Sequence, residues 1–558
     1  MLREGSTVAV DRIRLLARRL RAADREAEAT GAAIDDVVER LEQHSAERLE
    51  LSRQNSAQLE GQRREIAAML HAGMDRRDFL RCSALFGVSA AGVFAELRAT
   101  APPANAVTAP RVIVVGAGFA GLTAAYRIYK LKGWVPAVYE AQTRVGGRAR
   151  TIRTGAGGQY TEAGPSGISS NESTIKNLVS ELGLGPLVDT FLNAPTADEL
   201  YSFGGTKVLW KSLAAPVAAF YAQCGQDWTK IGKAIPTYAA SNAWAKAKDA
   251  QSLAAYIDAA TSDRNARAYL KAMFAQEYGG PAEVTSSLHG ILEEGSFWGV
   301  ESGYDERYAV PGGNDTLATA LTAHLPAGTV RLGQQLAAIR LNTDKSYTLT
   351  FASGAARSEV VADRVVLAIP LSILKTVDVT RAGFSAAKIR AIQDEKMGTN
   401  AKLNIQFSGR PWSDQNQSGD SSSDMVTGAT WQASYQAKTP AWLLALNNRD
   451  YGSAAAHGPA PAAVIAETNT AIDKLWTGAS AKEIKGQFYL DNWPADPWVK
   501  GSYAFYGING FTTIGGAEAG REGGVHFAGE HTAPYTKRGT MDGAVQSGER
   551  CAKEVTSY

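Results

Sequence analysis

Cysteine is scarce. Cys82, Cys224 and Cys551 are the three in 558 residues, and none stands at metal-ligand spacing from another. No metal site is therefore expected, and one disulfide at most is open to them. A charge imbalance is missing too, because 58 Lys+Arg against 56 Asp+Glu leave a formal +2. That balance gives no bulk basic field for nucleic acid and no acidic field for cationic partners. Beyond Ala106 no apolar run reaches the roughly 20 residues of a membrane-spanning helix, and no internal repeat is visible. What is present is a 45% hydrophobic composition, enough for a large core in two or more structural units.

The first 110 residues read differently from the rest. Segments such as IRLLARRLRAADREAEA and DDVVERLEQHSAERLELSRQ predict a helical or loosely coiled extension over 1–73. A solvated extension, or translated sequence upstream of a true start at Met69 or Met74, accounts for it. Residues 74–106 place Arg76-Arg77 before Phe79-Leu80, then a small-residue apolar run from Cys82 to Phe94, then Ala104-Asn105-Ala106. This is the pattern of a twin-arginine signal peptide cleaved after Ala106. The run is too short to cross a bilayer core of about 30 Å. Engagement of the twin-arginine export machinery and a periplasmic or secreted location are the expectations, and that route carries proteins already folded around their cofactors.

The densest signal lies between Arg111 and Arg150, RVIVVGAGFAGLTAAYRIYKLKGWVPAVYEAQTRVGGRAR. Val112 to Val115 predicts a buried parallel strand, Leu122 to Tyr129 a helix, and Pro136 to Tyr139 a second strand. In the turn between the first two, Gly116 permits the sharp bend, Gly118 lets backbone approach a pyrophosphate, and Gly121 allows close helix-on-strand packing. Phosphates would then sit at the positive helix N-terminus. Glu140, at the end of the second strand, is placed to accept hydrogen bonds from a ribose diol. On these residues alone NAD remains an alternative, as does a cofactor-free doubly wound domain. Arg144, Gly146, Gly147 and Arg148 tilt the choice toward FAD, since a second glycine turn with guanidinium donors suits a pyrophosphate gripped from its other side.

Downstream, Thr161 to about Val300 is dominated by helical periodicity and predicts a helical insertion between sheet elements. Tyr308 to Ile339 predicts a Gly-Gly turn, an amphipathic helix and a strand. SYTLTFASG and EVVADRVVLAIPLSIL predict alternating and then fully buried strands. The polar run Ser413 to Asp424 predicts a surface loop. A strand through Phe527, a loop with Glu530 and a helix from Met541 close the chain.

Seven ordered blocks make the chain similar to the flavin-containing amine oxidases, the group of monoamine, polyamine and L-amino acid oxidases. They are VVGAGFAGLTAA, EAQTRVGGRART, YAVPGGNDTLATAL, VVLAIPLSIL, KLNIQF followed by PW, the Trp493 to Tyr503 segment, and HFAGEHT with GTMDGAVQSGERCA. The resemblance covers nearly all of 110–556. It implies an α/β fold with a Rossmann-like FAD-binding domain and a mixed-sheet plus helical substrate-binding domain. The expected boundaries are 107–170, 305–375 and 520–558 for the first, and 171–304 and 376–519 for the second. It further implies Lys402 as the lysine water-bridged to flavin N5, and Trp493 and Tyr503 as aromatics that flank the flavin and wall the substrate pocket. The cofactor set it implies adds Gly164, Leu336, Gly529, Glu530 and Met541, with the Met541 helix dipole aimed at flavin O2. Substrate contacts fall on Gly167, Trp431, Tyr503, Arg538 and Thr540. Ser502 stands where some monoamine oxidases have the flavin-bonding cysteine, so FAD is expected to be noncovalent. A small amine or amino acid with O2 as electron acceptor, and a homodimer, complete the implied partners.

Two departures bear on substrate. Thr540 stands where monoamine oxidases have the second tyrosine of an aromatic cage. Gly167 replaces the arginine with which L-amino acid oxidases bind the substrate carboxylate, a task needing a fixed cationic fork. Either Arg538 or another arginine takes over that task, or the substrate has no α-carboxylate; Arg538 could equally be a surface charge in TKRG. The reaction class is oxidation of a primary amine or L-amino acid to an imine, with O2 reduced to H2O2. Alternatives are oxidative decarboxylation as in tryptophan 2-monooxygenase, a polyamine oxidase or dehydrogenase, and a noncatalytic FAD-binding protein. A carotenoid-type desaturase shares the N-terminal fingerprint but not Lys402, the Trp493 to Tyr503 block or GEHT.

Overall fold

The computed structural model describes residues 109–190, 198–232, 235–297, 305–433, 440–452 and 456–557. Contacts divide the chain into Met1–Ala109 and Pro110–Tyr558. The helical extension, the signal segment and Cys82 lie outside the described residues.

β1 (Val112–Val115) is buried at every position, which is why four consecutive β-branched residues are tolerated there. α1 (Phe119–Lys132) follows, and Gly133 stops it at φ 69°, its N–H donating to the Tyr129 carbonyl at 2.8 Å. This left-handed cap is the usual role of a glycine at that position. Leu122 and Ile128 are fully buried on the inner face of α1, each contributing about 2 kcal/mol. β2 (Ala137–Tyr139) pairs parallel with β1. The strands Arg364–Leu367, Val525–Phe527 and Val330–Arg331 complete a five-stranded parallel sheet.

An eight-stranded mixed sheet forms a second layer system. Its centre is β3 (Asn400–Phe407), buried at every position and hydrogen-bonded on both edges, to Ala441–Asn448 and to Glu483–Asp491. Helices Trp210–Trp228, Arg264–Tyr278 and Ser287–Phe297 share a separate apolar core with residues of the strand Asp198–Phe203. The chain segments building the two sheets interleave, so residues far apart in sequence meet between them. α2 (Met541–Thr556) closes the fold against α1. A Cβ on its Gly548 would fall 2.4 Å from the Ala120 carbonyl oxygen, so only glycine allows that helix approach.

Two sequence expectations need correction. The stretch 161–300 is not purely helical, since Asp198–Phe203 and Thr206–Val208 are strands of the large sheet. The polar run 413–424 is not a loop either, because Gln417–Ser423 is a largely buried strand in that sheet. Its small polar residues satisfy one another there. The Ser421 and Thr430 hydroxyls pair at 2.7 Å, and Gly419 leaves room for the Trp412 indole, which a Cβ would meet at 2.8 Å.

Candidate active site

A cavity of about 440 Å³ runs from the glycine turn after β1 to the inner face of the large sheet. Each glycine of the turn serves a different demand. Gly116 has φ 101°, and a Cβ there would lie 2.6 Å from the Ala368 carbonyl oxygen. A Cβ on Gly121 would sit 1.9 Å from the Gly116 oxygen, which explains its place in helix-on-turn packing rather than in the cavity wall. Gly118 differs, because its Cβ direction is open, with only the Gly147 Cα at 3.9 Å. Gly118 also begins α1 without a side-chain cap, so the cradle fits an anion approaching backbone N–H groups. Glu140 ends β2 with its carboxylate fixed by the N–H groups of Ala117 at 2.7 Å and Gln142 at 2.8 Å. Burial raises this carboxyl above its ordinary range, while those N–H donors hold it down.

Farther along, Glu530 accepts from the Arg148 guanidinium at 2.7 Å, from the Ala504 N–H at 3.2 Å and from the Gly539 N–H at 2.9 Å. Burial opposes its charge, but the Arg148 cation wins and holds the carboxyl below its usual range. Gly164 is pinned against the Arg148 backbone, whose oxygen a Cβ would meet at 1.9 Å.

At the other end, β3 turns Asn400, Lys402 and Asn404 to one face, as its period of two requires. The Lys402 Nζ donates to the Gly164 carbonyl and, at 2.6 Å, to Ser166 Oγ, and it lies 5.7 Å from the centre of the Trp431 ring. Burial lowers the Lys402 ammonium to about 8, with Glu306 the largest opposing charge. Trp493 donates its indole N–H to the Ala163 carbonyl at 2.9 Å. Its ring meets His457 edge-on at 4.5 Å, and His457 bridges Asp491 and Asp496 at 2.9 Å each. The Tyr503 hydroxyl is bound to the Gln276 carbonyl and the Asn400 amide. Gly118, Glu140, Arg148, Gly164, Leu336, Gly529, Glu530 and Met541 thus share one cavity with Lys402, Trp431, Trp493 and Tyr503.

An acid and a glycine turn for a dinucleotide at one end, and a buried lysine among aromatics at the other, match a known pattern. Residues 119–556 match the family described as flavin containing amine oxidoreductase. The chain belongs to that family. Like its relatives it is an FAD-dependent oxidoreductase acting on amines. A nicotine dehydrogenase of Pseudomonas putida is 26% identical over 517 residues, covering 87% of this chain and 97% of its own. The flavin-dependent L-tryptophan oxidase RebO of Lentzea aerocolonigenes is 27% identical over 315 residues, 52% of this chain and 64% of its own. In fold, the chain is similar to putrescine oxidase bound to putrescine, with TM-score 0.69 at 21% identity, covering 80% of this chain and 99% of that one.

Within this flavin-containing amine oxidoreductase, Arg538 has neither of the placements weighed from sequence. It lines the cavity, but it is no surface charge, being 7% exposed. Its two terminal nitrogens are bound by Glu395, by Glu518 at 3.1 Å and by the His531 carbonyl at 2.7 Å, its Nε has no partner among the described residues, and it stacks over Tyr506 at 4.1 Å. It is therefore not a free fork for a carboxylate. Thr540 also does other work. Its hydroxyl accepts from the Gly543 N–H at 2.9 Å and donates to the Lys537 carbonyl, capping α2. That capping role explains a small polar residue at this position. Gly167 has no room for any side chain, since its Cβ would fall 2.3 Å from Glu306 Cβ.

Sequence reasoning missed Glu306, Glu172 and Ser166, all of which line the cavity. The acidic pair Asp305-Glu306, one residue before the YAVPGG block, was the available signal. Its meaning depends on contacts with residues more than a hundred positions earlier.

Proposed function

We propose that the protein oxidises a primary amine lacking an α-carboxylate to the imine, which water hydrolyses to aldehyde and ammonia, with O2 as electron acceptor. The observation that carries this reading is the state of the cavity's cations. Among the described residues, Arg148, Lys402 and Arg538 are the Lys or Arg side chains lining it. All three are engaged, by Glu530, by Gly164 with Ser166, and by Glu395 with Glu518. A substrate carboxylate would meet no free fork, and burying it unpaired is costly.

FAD, when bound, supplies hydride acceptance at N5 and passes the electrons on. The protein does the rest by positioning. The glycine cradle and Glu140 suit the adenosine-diphosphate half of the cofactor, and no described cysteine lines the cavity, in keeping with noncovalent FAD. Trp431 and Tyr503 wall the substrate end and exclude water, which favours the neutral amine. Lys402 holds a proton on Nζ within this enclosed space, a fixed positive charge where charge develops. Purified holoenzyme assayed aerobically with primary amines and L-amino acids, following peroxide, tests the proposal. Peroxide from amines and not from their α-carboxylated counterparts is expected, and the reverse order would refute it. The export proposal rests on residues 74–106 and has its own test, since N-terminal sequencing of the periplasmic protein should begin at Val107.

A further inference from the structure

The turn that carries Trp493 is bracketed by two buried acids. Asp491 ends the strand Glu483–Asp491, and Asp496 follows the turn Trp493–Ala495. His457, on the short edge strand His457–Pro459, reaches both, its Nδ1 lying 2.9 Å from Asp491 Oδ1 and its Nε2 2.9 Å from Asp496 Oδ2. A carboxylate only accepts hydrogen bonds, so both ring nitrogens carry protons and His457 is an imidazolium. Its side chain is 8% exposed, against 2% and 5% for the two acids, and a charge so enclosed persists only when paired. Burial works against the cation, yet the two acids outweigh it and hold the His457 pKa above its ordinary value, with Arg150 opposing. Burial likewise opposes the Asp496 carboxylate, which His457 and the Trp498 N–H hold below its usual range, helped by the charge of Arg144. The remaining oxygens are engaged as well, Asp491 Oδ2 by the Asn404 amide at 3.4 Å and Asp496 Oδ1 by the Trp498 N–H at 2.7 Å.

His457 stands outside the cavity, and what it ties lies on the cavity wall. Trp493 lines it, as do Trp498, Val499, Ser502 and Tyr503 of the segment that the turn leads into. The His457 ring meets the Trp493 indole edge-on at 4.5 Å, while the Trp493 carbonyl accepts from the Asp496 and Gly501 N–H groups at 3.1 Å each. The other end of the staple belongs to the lysine strand. Asp491 is the cross-strand partner of Lys402 in β3, and directly opposed residues share one face of a sheet. One cation therefore fixes the Trp493 turn relative to Lys402.

We propose that the His457 imidazolium is a positioning residue of the flavin site. By stapling Asp491 to Asp496 it fixes the Trp493 indole against the flavin at the lysine end of the cavity. It does not line the cavity and acts through Trp493. Loss of its charge leaves two buried carboxylates without their common partner, and the turn between them without its anchor. This inference rests on the reading of the cavity as an amine-oxidising flavin site with Trp493 beside the flavin.

Visible circular dichroism of the oxidised holoenzyme and anaerobic stopped-flow reduction by n-butylamine test it together. In His457→Gln, which can donate to one carboxylate only, the flavin dichroism should change. Its limiting reduction rate should fall about 10²-fold, the scale for a misplacement of about 1 Å, while the amine dissociation constant shifts far less. Asp496→Asn, which weakens one arm of the staple, should show a smaller change in the same direction. His457→Lys, whose ammonium can donate to both acids, should recover part of both signals. Flavin content and melting temperature of each variant report folding independently. A lowered melting temperature with wild-type dichroism and a wild-type limiting rate would overturn the proposal and leave His457 a stabilising residue only. A wild type that no primary amine reduces would count against the amine reading instead, and the dichroism of the variants would still decide the staple.

Discussion

Replacing Arg538 by Ala separates a structural ion network from a substrate-binding arginine. In the native protein the guanidinium lies between Glu395 and Glu518, with side-chain exposures of 1%, 0% and 3%. Burial works against its charge, the two acids and Tyr506 restore it, and its pKa ends above the ordinary arginine value. Removing it leaves two carboxylates facing each other in a dry interior, a loss of about 3–5 kcal/mol for a broken buried pair. Unfolding entropy of about 2.1 cal/mol/K per residue over roughly 450 residues gives about 0.9 kcal/mol per degree. Arg538→Ala should therefore melt about 3–5 °C lower if unfolding is cooperative. Arg538→Lys, with charge but no fork, should fall in between. Thermal release of flavin fluorescence, read beside circular dichroism, measures the shift. Amine turnover measured on the same samples should decline only in step with the loss of folded, flavin-loaded protein. An unchanged melting temperature with selective loss of L-amino acid oxidation would refute the reasoning and make Arg538 a carboxylate-binding residue.

Lys402→Met should slow reoxidation of the reduced enzyme by about 10²–10³-fold, the scale of removing one preorganised electrostatic group. Since burial brings the Lys402 ammonium to about 8, it is charged below that pH and neutral above it. Wild-type reoxidation should then fall as pH rises through 8, and stopped-flow mixing with oxygen should show that limb missing from the variant. Gly118→Val fills the open cradle and should give folded but flavin-free protein, judged by absorbance and circular dichroism. Gly167→Arg should destabilise the protein without gaining L-amino acid oxidation, because its Cβ meets Glu306 backbone and Cβ. Adding Glu306→Gly removes only the Cβ contact and leaves Cα and the carbonyl oxygen at 2.7 Å, so it should recover only part of the lost stability, and melting curves of the single and double variants check it.

The nucleotide half of the site was readable from sequence because its constraints are local. Gly116, Gly118 and Gly121 answer to one turn, and Glu140 closes a unit whose strands pair directly, Ile113 with Ala137 and Val115 with Tyr139. Lys402 was readable through the resemblance carried by KLNIQF, and its strand sets Asn400 and Asn404 on the same face. The substrate half was not readable in the same way. The meaning of Arg538 lies in Glu395, 143 positions earlier, and that of Gly167 in Glu306, which no periodicity connects to it. The strand Gln417–Ser423 looked like a loop because its stability comes from hydroxyl pairing and the Trp412 contact rather than from apolar alternation.

The central claim is that this cavity carries an amine-oxidising flavin site with no place for a substrate carboxylate. Anaerobic titration of the purified flavoprotein, following the visible flavin absorption, tests it most directly. The account predicts bleaching by primary amines and none by the corresponding L-amino acids. Bleaching by L-amino acids alone, or by no substrate while dithionite still reduces the flavin, would contradict it.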